Sequence, residues 1–251
     1  MIKTIFWLIF VLMSTELGFS QNVYDVTSRV KVSDIKDAKL QEAFKAYQMH
    51  DYYINLPFFE DALHANEYNR TSPSFVYEDP TSPFYVNLDR RSKKRNDWET
   101  GIQLFKKTTG DYILGEISTA QEGQLITKTW LVTFDPTGKR IDYLPIWEIF
   151  SSGVAIIEGQ VHEDLTVDIQ SLNFPGYDYI ARIDTVTSRE VFPDSLIGQR
   201  IDSKYRITPQ GKFEKLKEIR YEPQNYSALF REFDWKHPIL IRQRNEKKLQ
   251  E

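Results

Sequence analysis

LITKTWLVTFDPTGKRIDYLPIWEI, residues 125–149, is the stretch on which the class of fold turns. A β-rich run reaches Phe134, Asp135-Pro136-Thr137-Gly138 makes a turn, and a second extended run follows. Asp at the first position, Pro at the second and Gly at the last suit a type I turn, with Gly138 left-handed where the strands rejoin. Trp130, Val132 and Phe134 share one face of the first strand with Ile126 and Lys128, while Thr127, Thr129, Leu131 and Thr133 share the other. Both faces are partly apolar, so the hairpin is expected inside a sheet with cover on each side, some of it from an N-terminal helix. Pro145 removes a ladder donor and predicts a bend or an edge late in the second strand.

Downstream, strands and turns follow quickly. Gly153 to Glu158 reads as a short strand, and Asp164 to Gln170 alternates, with Leu165, Val167 and Ile169 on one face. Tyr177, Tyr179, Ala181 and Ile183 repeat that alternation. Ser203 to Thr208 and Lys212 to Tyr221 flank Thr208-Pro209-Gln210-Gly211, a second Pro-x-Gly-Lys turn. Ser227 to Phe233 has the makings of a short helix.

Upstream, Ile102 to Lys106 and Tyr112 to Ser118 predict two more strands. Ser33 is placed to cap a helix running to about Met49, with Ile35, Ala38, Ala43, Phe44 and Tyr47 as its stripe. Pro57 suits the start of a second helix from Phe58 to Glu67. Tyr68 to Pro83 reads as a loop with one brief strand at Ser74 to Tyr77.

The expected class is therefore α+β: a predominantly antiparallel β-sheet meander, for which a sandwich and a curved sheet are two options left open, with one or two N-terminal helices packed against it. The expected organisation is a signal peptide over 1–20, a helical and loop segment over 21–83 packed on the main domain, a β-rich domain over 84–243, and a flexible polar tail over 244–251.

Residues 1–20 carry Lys3, an apolar run from Ile5 to Met13, and small residues at Gly18 and Ser20, so cleavage is expected before Gln21. The run is too short for a dependable transmembrane anchor. With no Cys among 251 residues, disulfides and thiol chemistry are excluded. This pattern predicts a periplasmic or secreted location. Signal removal takes one Lys and one Glu, leaving the net charge at −4, which gives no argument for nucleic acid. In composition the chain resembles small exported proteins of Bacteroidota, a likeness that transfers no active residue.

Candidate chemistry is sparse. Four histidines, at 50, 64, 162 and 237, form no pair at helical ligand spacing, and Glu60, Asp61 and His64 alone would leave a metal site incomplete. Asp164, Asp168 and Asp178 sit on expected strands, where polar residues opposite an apolar face are ordinary. Ser151-Ser152-Gly153 lacks the nucleophile-elbow pattern. No catalytic residue, metal ligand or cofactor is assigned, and the balance leans away from an enzyme.

The candidate binding residues are the basic run Arg90, Arg91, Lys93, Lys94 and Arg95, with Tyr52, Tyr53 and Trp98 as aromatic contacts. The expected function is non-enzymatic: binding another protein or a surface polymer in the bacterial envelope, in one version as an immunity protein. A hydrolase of an envelope polymer or glycan is the first alternative, and a structural subunit of an envelope assembly the second.

Overall fold

A computed structural model describes residues 22–60, 75–76, 98–121, 126–149, 154–176, 182–183, 186, 190–231, 241 and 246–248. In chain order its elements are β1 (Tyr24–Asp25), α1 (Ala38–His50), β2 (Phe58–Glu60), β3 (Phe75–Val76), β4 (Trp98–Leu104) and β5 (Lys107–Thr108). There follow β6 (Ile113–Gln121), β7 (Ile126–Phe134), β8 (Arg140–Ile149), β9 (Ala155–Val161), β10 (Thr166–Asn173) and β11 (Arg182–Ile183). The last are β12 (Glu190–Val191), β13 (Ile197–Ile207), β14 (Phe213–Arg220), β15 (Gln224–Asn225) and α2 (Ser227–Arg231).

The opening hairpin forms as its sequence directs. Gly138 N donates to Asp135 O at 2.9 Å, Asp135 N donates to Lys139 O at 2.8 Å, and Gly138 has φ +93°. The Asp135 carboxylate accepts from Thr137 N at 2.9 Å, Thr137 Oγ1 at 2.6 Å and Lys139 N at 3.0 Å. Burial works against that charge, yet these bonds hold the Asp135 carboxyl below its usual range. Thr208 to Lys212 repeats the geometry, with Gly211 at φ +76° and Gly211 N donating to Thr208 O at 2.8 Å. His162 to Thr166 repeats it again: Leu165 N donates to His162 O at 2.9 Å, but the left-handed residue is Leu165, at φ 61°.

Among the described residues the main sheet has 11 strands, antiparallel along the path β14-β13-β10-β9-β8-β7-β6-β4-β3, with β15 on β13 and β2 on β9. The sheet is open. The hairpin β7–β8 lies at its middle, between β6 and β9. Pro145 marks a bend inside the sheet: it faces Trp130, and the register slips by one between there and the Thr129–Trp147 pair.

One α-helix from the N-terminal part covers the sheet. Leu40, Ala43, Phe44 and Tyr47 recur at i, i+3, i+4 and i+7, and pack with Val26, Val30 and Ile35 onto Ile102, Leu104, Ile113, Ile117, Val132 and Phe134. Its cap is Asp37, whose Oδ1 accepts from Leu40 N at 2.7 Å, so Ser33 does not begin it. Ser33 is taken into a 3-10 turn at Val32–Asp34. Lys36 N donates to Thr137 O at 2.8 Å, which fastens the helix entry to the hairpin tip.

The second expected helix is corrected at its start. Phe58–Glu60 is a strand paired with Val161, Gln160 and Gly159, because burying Phe58 completely against Phe105 and Val161 outweighs the helix-start preference of Pro57. The remainder of that segment lies outside the described residues. Asp164 also leaves its expected strand, since β10 begins at Thr166 and Asp164 shapes the preceding turn.

Apolar residues of β6 to β10 and β13 form a second cluster around Leu114, Leu131, Ile146, Val161, Val167 and Ile207. The second turn folds over it: Thr133 Oγ1 donates to Gly211 O at 2.6 Å and Phe213 N donates to Asp142 Oδ2 at 3.1 Å. A third cluster joins Ile156, Leu172 and Phe174 to Tyr226, Phe230 and Ile241. Part of the polar tail is tied down: Glu222 N donates to Lys247 O at 2.8 Å, and Tyr221 forms a bridge with Lys248.

Candidate functional site

Helix α1 ends at His50, and Asp51, left-handed at φ 51°, turns the chain outward. The Lys106 ammonium holds Asp51 at 2.7 Å, which fixes this corner to the loop after β4. Tyr52 and Tyr53 then differ in exposure although both rings lie against Tyr47. Tyr53 is buried, 5.5 Å from Tyr47 and 6.3 Å from Phe44 between ring centroids. Burial, with the charges of Asp25 and Asp51, pushes its phenol well above the usual range. Tyr52 stays 41% exposed, stacked on His50 at 5.1 Å and edge-on to Tyr47 at 6.5 Å. Met49, 74% exposed, precedes the pair. The corner thus presents a methionine, an imidazole and a phenol on a fixed backbone.

Of the sequence-derived binding residues, the structure brings Tyr52 into this surface and assigns Tyr53 to the core. Trp98 opens β4. Arg90, Arg91, Lys93, Lys94 and Arg95 lie outside the described residues, as do His64, Asp178 and His237.

Of the carboxylates weighed for catalysis, Asp164 and Asp168 have structural partners, as do Asp142 and Glu148 on β8. Asp164 accepts from Thr166 N at 2.9 Å and Thr166 Oγ1 at 2.7 Å. Asp168 Oδ2 lies 2.8 Å from His162 Nε2, and Asp142 takes the Phe213 N–H described above. Glu148 pairs with Lys128 at 2.6 Å. Among the described residues there is no group of three or more His, Cys, Asp or Glu able to hold a metal ion, and no helix long and apolar enough to cross a membrane.

The charged groups that sequence reasoning missed are buried ones. Glu116 lies inside β6 opposite Gln103, and neither Glu116 Oε2 nor Gln103 Oε1 has a hydrogen-bond partner among the described residues. Burial pushes the Glu116 carboxyl up to about 8. Glu158, also buried, accepts from Ile241 N at 2.9 Å through Oε2. Ladder partners lead from Ser118 through Thr129 and Trp147 to Glu158. Three strand spacings separate β6 from β9, roughly 14 Å, wider than the roughly 5–9.5 Å of a glycosidase pair.

Arg200 is the other hidden charge. Its Nε donates to Asp202 Oδ1 at 2.7 Å and its Nη2 to Asp202 Oδ2 at 2.9 Å, a planar two-point pair. The Tyr221 ring lies 4.7 Å from the guanidinium carbon, and Tyr221 Oη donates to Asp202 Oδ2 at 2.8 Å. Burial disfavours the charge, but Asp202 and the neighbouring groups hold the Arg200 pKa above its usual value. A Glu or an Arg flanked by apolar residues in an alternating strand reads as solvent-facing, and only cover on both faces makes it buried.

Comparisons with protein-family models, with curated protein sequences and with solved structures return no match to this chain.

Proposed function

We propose that the chain is an exported, non-enzymatic binding protein whose partner in the bacterial envelope is another protein, engaged at the corner where α1 ends. The observation that carries this reading is the exposed set Met49, His50 and Tyr52, held by the Asp51–Lys106 pair. Methionine adapts to irregular apolar surfaces, and a stacked tyrosine offers a rigid ring with a polar end. Both suit a protein interface better than a reaction centre. Export rests on the Lys3, Ile5 to Met13 and Gly18-Phe19-Ser20 pattern.

A hydrolase draws less support, because Asp135 and Asp164 shape turns, Glu148 and Asp168 pair with Lys128 and His162, and Glu116 and Glu158 are buried. A strand-adding assembly subunit also draws less. The outer side of β14 carries the exposed Lys215 and Lys217, Phe213 N is taken by Asp142, and Glu222 N by Lys247 O.

Affinity capture from an envelope extract tests the reading. The wild-type chain should retain one stoichiometric protein partner, and a Met49→Ala/Tyr52→Ala chain should lose about tenfold or more of it, as expected for central interface residues. Equal retention by both chains would remove this corner from the function. Release of reducing ends from envelope glycan by the purified chain would favour the hydrolase instead.

A further inference from the structure

The C-terminal segment is held as a ligand would be. Among the described residues the Glu246 carboxylate, whose side chain is 4% exposed, accepts from Arg200 Nη1 at 3.3 Å, Gln224 Nε2 at 2.9 Å and Tyr226 Oη at 2.9 Å. Arg200 Nη1 also donates to Ile241 O at 2.8 Å. The donors come from β13, β15 and the residue before α2, so the framework builds this socket without the segment that fills it. The socket is also pre-organised, since Asp202 and the Tyr221 ring fix the guanidinium and leave Nη1 aimed at the incoming carboxylate. Residues 242–251, RQRNEKKLQE, are almost wholly polar, and Ile241 enters the apolar cluster beside them. Among the described residues the polar contacts are made to one carboxylate and to backbone, which another chain carrying a glutamate can reproduce.

We propose that the Arg200–Gln224–Tyr226 socket is a carboxylate-recognition site, filled in cis by Glu246 and in trans by a glutamate-bearing segment of a partner protein. Ile241 shares an apolar cluster with Ile156 and Phe174, so a bound segment meets apolar as well as polar groups there. The inference rests on reading the chain as a binding protein. Its test uses the chain's own tail as probe, so its outcome is independent of capture at the α1 corner.

The experiment takes the full-length Glu246→Ala chain and a fluorescent synthetic peptide of residues 239–251. The peptide should bind that variant about tenfold more tightly than wild type, where the tethered tail competes at high effective concentration. The same peptide carrying Glu246→Ala should bind the variant at least about tenfold more weakly, since it lacks the carboxylate. No binding to the folded variant, or equal binding of both peptides, would overturn the proposal. If Glu246→Ala does not fold, hydrogen exchange on wild type decides. The amides of Ile241 and Glu222 should exchange well ahead of the β9–β10 ladder, whereas exchange only together with that ladder would show a permanent strut.

Discussion

At Glu116, burial leaves a carboxylic acid rather than a carboxylate in the folded chain over most of the physiological range. The pH consequence follows by sign. The folded group holds its proton up to about 8, while the unfolded group releases it near 4.5. Between those values the native state binds more protons, so stability falls as pH rises, by at most about 1.4 kcal/mol per unit. Glu116→Gln cannot ionise. It should match wild type near pH 4.5 and exceed it by a few kcal/mol at pH 8, a difference that urea unfolding at the two pH values measures. A constant difference between the two proteins would mean that Glu116 is charged in the fold. Leu165 makes a second residue-scale prediction, because it is fully buried yet left-handed. Truncation loses a core side chain, at about 2–5 kcal/mol, but glycine also relieves about 1–2 kcal/mol of backbone strain. Leu165→Gly should therefore melt above Leu165→Ala, the reverse of the usual order in a strand. None of this was legible in sequence: Glu116 and Leu165 occupy positions that alternation alone assigns to a solvated face and to a strand.

The elements that sequence did disclose are those governed by local rules. Asp135-Pro136-Thr137-Gly138 specified its turn through backbone geometry, and the same rule placed Gly211. The stripe Ala43, Phe44 and Tyr47 specified a helix, although the start moved from Ser33 to Asp37 once the hairpin tip claimed Lys36 N. Phe58 to Glu60 escaped because its strand exists only through pairing with β9, about a hundred residues away in the chain. The hairpin tip and the helix entry are physically one joint. A Cβ at Gly138 would lie 3.0 Å from Asp37 Cβ, at a φ that side chains avoid. Gly138→Ala should cost about 1–2 kcal/mol from strain alone. It should also raise exchange at Leu40 N, the amide that Asp37 caps, so hydrogen exchange resolved at α1 separates a joint from a purely local turn defect.

Across the whole molecule, the open sheet carries several of its charged groups in buried positions. Arg200, Glu158 and Glu246 secure the C-terminal segment, Asp135 and Asp164 shape turns, and the exposed methionine and tyrosine stand at the end of α1. The corner proposed for binding was half legible. The Tyr52-Tyr53 pair drew notice as a candidate, but which ring faces outward depends on the packing of Tyr53 against Phe44 and Tyr47. Site-specific photocrosslinking in the living cell reads the proposed function most directly. A photoreactive phenylalanine in place of Tyr52 should give one discrete adduct with an envelope protein, while the same group in place of Leu216, exposed on β14, should give none. No adduct at position 52, or the same adduct from both positions, would contradict binding at the end of α1.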